Sequence, residues 1–368
     1  MRTKVGFFAN QTTPTLGGMF TFERTIISIV ERLTPDFDPV VISRIPLDTP
    51  LHNVIFPLPT KRNPLPSLDE FVRKEGFDLI WFSGAQEPVS VPFVMTVLDL
   101  AHRRFPFFPE VSSEGWLFDQ REEYYNRTLP VAFKVIAGTD SGSAEVSSWY
   151  RVPPERVKVI PFSTSLWVHD VAPQAALSPG LHTPYFLYPA QFWAHKNHTV
   201  LLEALAHLKE SHSIRHNLVF TGADQGNSEH IKAQAQALGV ADQVTMLGFV
   251  GTDTLAALYR SATALVFPSF FGPDNLPPLE AAHFSCPVIA ASIVGASDFL
   301  GAAALLADPL KPVEWATAMC RLTDDAVLRN NLVAEGLKLA SKRTPGAYGQ
   351  CIEEVVAEFS AMRRRWKR

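Results

Sequence analysis

The chain has 368 residues, a length that at roughly 150 residues per domain points to two domains and excludes a small module. Its residues are 46% hydrophobic and 19% charged, too apolar for a disordered chain. Thirty-three Lys and Arg against thirty-seven Asp and Glu give a formal charge of -4, so there is no overall basic field to bind a nucleic-acid backbone. Cys286, Cys320 and Cys351 form neither a disulfide framework nor a CxxC zinc spacing, which fits a reducing compartment. The opening MRTKVGFFANQTT turns polar too soon for a signal-peptide core. The longest apolar stretches, such as 262–271, fall short of the roughly eighteen residues that cross a bilayer. A cytoplasmic protein is expected, meeting a membrane only at its inner surface.

Short runs rich in Val, Ile and Phe alternate with helical patterns from the start, the signature of an α/β fold with parallel sheets. Strands are predicted at 4–9, 39–43, 78–83, 92–98, 133–137 and 157–161. Between the first two, Phe22, Ile26, Ile29, Val30 and Leu33 recur at helical spacing after the Gly17-Gly18 turn, and Pro35 stops the helix. The stretch 163–184 has linker composition, and the domain boundary is placed there. A second set of strands is predicted at 185–190, 217–222, 244–248, 264–268 and 287–291. Leu201, Ala204, Leu205 and Leu208 form the apolar stripe of the helix after its first strand. The last pattern, Ile352, Val355, Val356, Phe359 and Met362, is a helix expected to return to the first core. Residues 1–165 with the returning helix 346–368 form one expected domain, and 166–345 the other. Ligands of open α/β sheets bind outside the carboxyl ends of the strands, so the active site is expected in a central cleft that the two domains face.

The segment Tyr188-Pro-Ala-Gln-Phe-Trp-Ala-His-Lys-Asn-His198, followed by an amphipathic helix, resembles the donor-binding turn of glycosyltransferase family 4. The segment from Leu265 to Ala282, LVFPSFFGPDNLPPLEAA, resembles the same family, as does Cys286-Pro-Val-Ile289. Gly17-Gly18 and Asp99-Leu-Ala-His102 also fall where that family has recognisable features. The resemblance implies a GT-B fold of two Rossmann-like domains and retaining transfer of a sugar from a nucleotide donor.

Such chemistry needs groups that stabilise the negative charge growing on a departing diphosphate. Lys196, just before a helix, offers one full charge, and the helix N-terminus adds backbone donors. On spacing alone it is equally a solvated lysine at a helix start. The family's arginine five residues earlier is here Gln191, which can donate only an amide hydrogen bond. Of the family's two glutamates, the earlier position is Gly272 and the later is Glu280. Glu280 is expected near a helix N-terminus, where a carboxylate is favoured in any case, and the resemblance gives it the ribose hydroxyls. The resemblance also places the backbone amides of Asp274, Asn275 and Leu276 beside the donor, with Asp274 a candidate substitute for the carboxylate missing at Gly272. Those residues equally favour a plain tight turn.

Gly17, Gly18 and Gly222 permit close backbone approach to a phosphate, although any turn uses glycine. His102 is expected to face the cleft and orient the acceptor, or to be a satisfied loop histidine. Phe249 and Val250 match the loop that borders the nucleobase, or are strand-end core residues. His195 and His198 are read as supports of the turn. No DxD motif and no His, Cys or carboxylate cluster stands out, so neither a metal nor another cofactor is expected. Arg363, Arg364, Arg365, Lys367 and Arg368 form a basic end that is either a solvated tail or a weak contact for anionic lipid.

The reading is a metal-independent retaining glycosyltransferase, with mannose from GDP-mannose as the first donor expected and a glycan or lipid-linked glycan as acceptor. The alternatives are a sugar-nucleotide-binding protein without transfer activity, and a GT-B epimerase or hydrolase.

Overall fold

The computed structural model describes residues 2–10, 13, 17–57, 67–84, 86, 88–171, 181, 184–211, 216–272 and 274–366. They group into two compact units. The first holds Met1–His102, Trp116–Phe162 and Thr344–Arg368, the second Arg103–Gly115 and Ser163–Arg343. The stretch Arg103–Gly115 has no counterpart in a division made at one linker.

Among the described residues, the strands of the first unit are β1 (Thr3–Ala9), β2 (Phe37–Ser43), β3 (His52–Ile55), β4 (Leu79–Phe82), β5 (Phe93–Val97), β6 (Lys134–Ala137) and β7 (Val157–Val159). They form one sheet in the order β3-β2-β1-β4-β5-β6-β7, with parallel pairings such as Val5 with Pro39 and with Leu79. Helices cover both faces of such a sheet, so its central strands are largely apolar, and β4 and β5 are buried along their whole length. The helix Gly18–Glu31 follows β1 and buries Phe22, Ile26, Ile27, Ile29 and Val30. The helix Pro345–Arg363 groups with this unit, packing Gly349 against Ile29 and Leu33, where a Cβ would come within 2.8 Å of Leu33. Thr3 with Ser360 at 2.6 Å, Lys134 with Glu358 at 2.8 Å and Asp78 with Arg363 at 2.6 Å tie it to the sheet.

The second unit carries β8 (Tyr185–Pro189), β9 (Asn217–Thr221), β10 (Val244–Met246), β11 (Ala264–Phe267), β12 (Val288–Ala291) and β13 (Ala304–Ala307). Their order is β10-β9-β8-β11-β12-β13, again parallel, with Tyr185 opposite Asn217 and Ala264 opposite Phe186. Tyr185, Phe186, Leu187 and Tyr188 sit at the centre of its core with Leu218, Phe220 and Leu265.

Two parts of the expected organisation are corrected here. Ser163, Thr164 and Ser165 are buried rather than linker-like, because Thr164 N–H donates to Arg343 O at 2.8 Å and Ser165 Oγ–H donates to Glu280 at 3.0 Å. Arg363 is no free cation of the tail, since Asp78 takes its guanidinium. Arg364 and Arg365 are exposed, and Lys367 and Arg368 lie outside the described residues. Among the described residues no helix is long and apolar enough to cross a membrane.

Candidate active site

In an open parallel sheet the ligand crevice lies at the carboxyl ends of the strands, where the strand order reverses. In the second unit that point lies between β8 and β11. The chain leaves β8 through Ala190 and Gln191, makes one 3-10 turn at Ala194–Lys196, and enters the helix His198–Ser211. Both ends of the turn are tied. Tyr188 O–H donates to Lys196 O at 2.7 Å, and Asn197, in the left-handed conformation at φ 57°, donates from its side chain to Pro309 O at 2.8 Å. His198 is buried between Tyr188 and Phe192. Burial, then the charges of Lys196 and His195, lower its pKa to about 3, so it stays neutral and cannot titrate near pH 7.

From β11 the chain makes a second turn. Ser269, 1% exposed, donates to Phe271 O at 2.8 Å. Asn275 then caps the helix Leu276–His283, and its side-chain N–H groups donate to Phe271 O at 2.9 Å and to Gly272 O. Gly272 has φ 73°, and a Cβ there would lie 2.9 Å from Asn275 Nδ2. A glutamate at position 272 would be strained at this φ and would displace the Asn275 side chain. The two turns meet at Lys196, whose Nζ donates to Ser269 Oγ and Asn275 Oδ1, both at 3.4 Å, and lies 5.4 Å above the Phe267 ring. His195 O accepts from Phe270 N–H at 2.9 Å alongside.

The structure thus brings Lys196, Asn275 and the start of the helix at Leu276 together. Gln191 lies on the same turn, where its Oε1 accepts from Trp193 Nε1 at 3.2 Å. Glu280, Asp274 and His102 are buried. Glu280 is in the second turn of its helix, near the N-terminus. Its Oε1 accepts from Ser165 Oγ at 3.0 Å and Trp167 Nε1 at 3.1 Å, its Oε2 from Tyr259 O–H at 3.0 Å. Burial raises its pKa, the three hydrogen bonds opposing. These three internal bonds anchor the carboxylate within the second unit. Asp274 is 4% exposed and its charge acts on Arg343.

His102, in the first unit, is fully buried beside Phe118 and Tyr125. Its Nε2 pairs with Glu122 Oε1 at 2.7 Å, and Tyr150 O–H donates to the same oxygen at 2.7 Å. Burial lowers its pKa, Glu122 opposing. The ring is held inside the first unit by Glu122 and Tyr150. Gly17, with φ 79°, caps the helix that starts at Gly18, after β1 of that unit.

Gly222 has a packing reason. Its φ is 150°, and a Cβ would stand 2.3 Å from Ala190 O. It lets the end of β9 lie against the Ala190-Gln191 backbone, and its N–H donates to Gly248 O at 2.8 Å. Gly222→Ala is expected to lower stability by about 3 kcal/mol through overpacking and backbone strain, read as a lower Tm in thermal unfolding. Beyond it, Phe249 is 57% exposed, while Val250 packs on the core. Among the described residues no group of His, Cys, Asp and Glu is arranged to hold a metal ion.

Two residues at these turns were not singled out in the sequence. Ser269 is one. The other is Glu110, whose Oε1 accepts from His195 Nδ1 at 2.7 Å and from His195 backbone N–H at 3.1 Å. No local pattern marks either, since Glu110 and His195 are 85 residues apart in sequence.

The model of the family Glycosyl transferases group 1 matches residues 176–339, which carry both turns. This segment is a group 1 glycosyl transferase segment. The expected resemblance to glycosyltransferase family 4 is thereby shown. A D-inositol 3-phosphate glycosyltransferase of Thermobispora bispora is 29% identical over 245 residues, 63% of this chain and 57% of that protein. The chain spans about half the length of the relatives it matches. Among solved structures, sucrose-phosphate synthase from Thermosynechococcus elongatus is 19% identical with a TM-score of 0.78, covering 98% of this chain and 100% of that one. HepE of Anabaena, in complex with UDP-glucose, is 17% identical with a TM-score of 0.72, covering 97% and 100%. The fold of the chain is that of GT-B glycosyltransferases.

Proposed function

We propose that the protein is a retaining glycosyltransferase that transfers a sugar from a nucleoside diphosphate to a hydroxyl of a glycan or lipid-linked glycan. The observation that carries this reading is the convergence of Lys196 and the Asn275-capped helix at the β8/β11 switch point of the group 1 segment. Lys196 would hold the diphosphate, helped by N–H groups at the starts of the helices His198–Ser211 and Leu276–His283. The bond from sugar C1 to the phosphate oxygen breaks as the acceptor oxygen bonds to C1 on the same face. The acceptor's proton passes to the departing phosphate, so no protein base is required. Phe249 would stack on the nucleobase.

GDP-mannose remains the first donor proposed. A UDP-sugar is the second, supported by the UDP-glucose bound in the similar HepE structure. The test is transfer from GDP-mannose, UDP-glucose and related donors to a panel of glycan and lipid-linked acceptors, run with EDTA. Glycosidic product from one donor, with the anomeric configuration kept and no loss on chelation, is expected. Saturable donor binding without turnover would favour the binding-protein alternative. Release of free sugar or an epimerised donor without acceptor would favour a hydrolase or epimerase.

A further inference from the structure

The stretch Arg103–Gly115 groups with the second unit and packs on the Lys196 turn and the loop after β11. Phe105 and Phe108 meet Phe270 at 5.6 and 5.3 Å between ring centroids, and Phe271 at 5.9 and 5.4 Å. In the midst of these phenylalanines stands a carboxylate, Glu110, only 7% exposed. Burying a charge in apolar surroundings is costly unless it is paired, so covering the loops does not by itself account for it. Its partner is His195, the residue before Lys196. One carboxylate oxygen takes the ring Nδ1–H and the backbone N–H of that residue, and the ring lies flat on Phe271 at 4.3 Å and 16°. Burial would raise the Glu110 pKa, but the hydrogen bonds from the His195 ring and from backbone N–H groups prevail and bring it down to about 2. Glu110 is thus an acceptor at neutral pH, and His195 Nδ1 carries the proton.

We propose that Glu110 is a positioning residue of the donor site, holding His195 and through it the Lys196 turn against the Ser269–Asn275 loop so that the turn receives a diphosphate. The inference rests on the nucleotide-sugar reading above. Fixing ring and backbone of His195 together sets the direction in which the chain delivers Lys196. Because Gln191 stands where the family has arginine, Lys196 is the one formal charge left in this turn's family pattern, and its placement carries correspondingly more weight.

The test is calorimetric titration of GDP and UDP, and of guanosine and uridine, into wild type, Glu110→Ala, Glu110→Gln, His195→Phe and the Glu110→Ala/His195→Phe double variant. The expected result is about tenfold weaker binding of the nucleoside diphosphate to Glu110→Ala, with nucleoside binding unchanged. Glu110→Gln, which keeps an acceptor oxygen, should recover part of the loss, and the double variant should be no worse than the worse single one. His195→Phe keeps the ring stack and carries the test alone if Glu110→Ala does not fold. Wild-type diphosphate affinity in Glu110→Ala and His195→Phe, equal loss for nucleoside and diphosphate, or additive losses in the double variant would overturn the positioning role and leave the functional reading standing. A wild-type protein that binds neither diphosphate overturns both.

Discussion

Glu280→Ala is expected to destabilise the second unit by about 3–5 kcal/mol, a fall of roughly 10 °C in Tm for a unit of this size. The substitution removes the acceptor of Ser165, Trp167 and Tyr259 together, leaving three donors in a closed space without a partner. Because Ser165 and Trp167 belong to the segment by which the chain enters this unit, their release should also loosen that entry. The pH dependence has a definite sign. Burial raises the Glu280 pKa, so the folded chain binds this proton more tightly than the unfolded one. The stability the group contributes is full below its ordinary value near 4.5 and declines as pH rises through the raised value. Glu280→Gln, neutral throughout, should lose that decline, and thermal unfolding of both proteins across pH 4–8 checks it. A ribose-binding Glu280 predicts the opposite pattern for the alanine variant, with nearly unchanged Tm and weakened binding.

Lys196→Ala should show that other pattern. The loss of one charged donor from a diphosphate site costs about 2–3 kcal/mol, so affinity for the nucleoside diphosphate should fall roughly 100-fold. Turnover should fall by a similar or larger factor if the ammonium stabilises the departing phosphate. Tm should barely move. The lysine's contacts with Ser269 and Asn275 are long at 3.4 Å, and both partners keep bonds to Phe271 O when it is gone. Titration calorimetry beside thermal unfolding separates the two variants, one failing in stability and the other in binding.

What the sequence reveals depends on how local the cause is. Strands buried on both faces are continuous apolar runs, so 4–9, 185–190 and 264–268 were legible within a residue or two of β1, β8 and β11. Two of the four edge strands, β3 and β13, were not. β3 reads His-Asn-Val-Ile and β13 reads Ala-Leu-Leu-Ala, sequences without a strand pattern that are extended because β2 and β12 pair with them. Lys196 and Asn275 lie in contiguous segments whose residue order is itself informative. The environment of Glu280 was hidden because its acceptor bonds go to Ser165 and Trp167, 115 and 113 residues away. The same holds for His102, whose burial comes from Glu122 and Tyr150, and for the Glu110–His195 pair. Polar residues sealed by distant partners look, in a sequence, like residues waiting for a ligand.

Binding of a nucleotide-sugar diphosphate is expected at the β8/β11 switch point, at Lys196 and the Asn275 turn. It is tested most directly by a crystal structure of the protein with the nucleoside diphosphate that binds it. Phosphate oxygens are expected within hydrogen-bond reach of Lys196 Nζ and of backbone N–H groups at 274–276. Diphosphate bound away from both turns, with Lys196 still directed to Ser269 and Asn275, would contradict it.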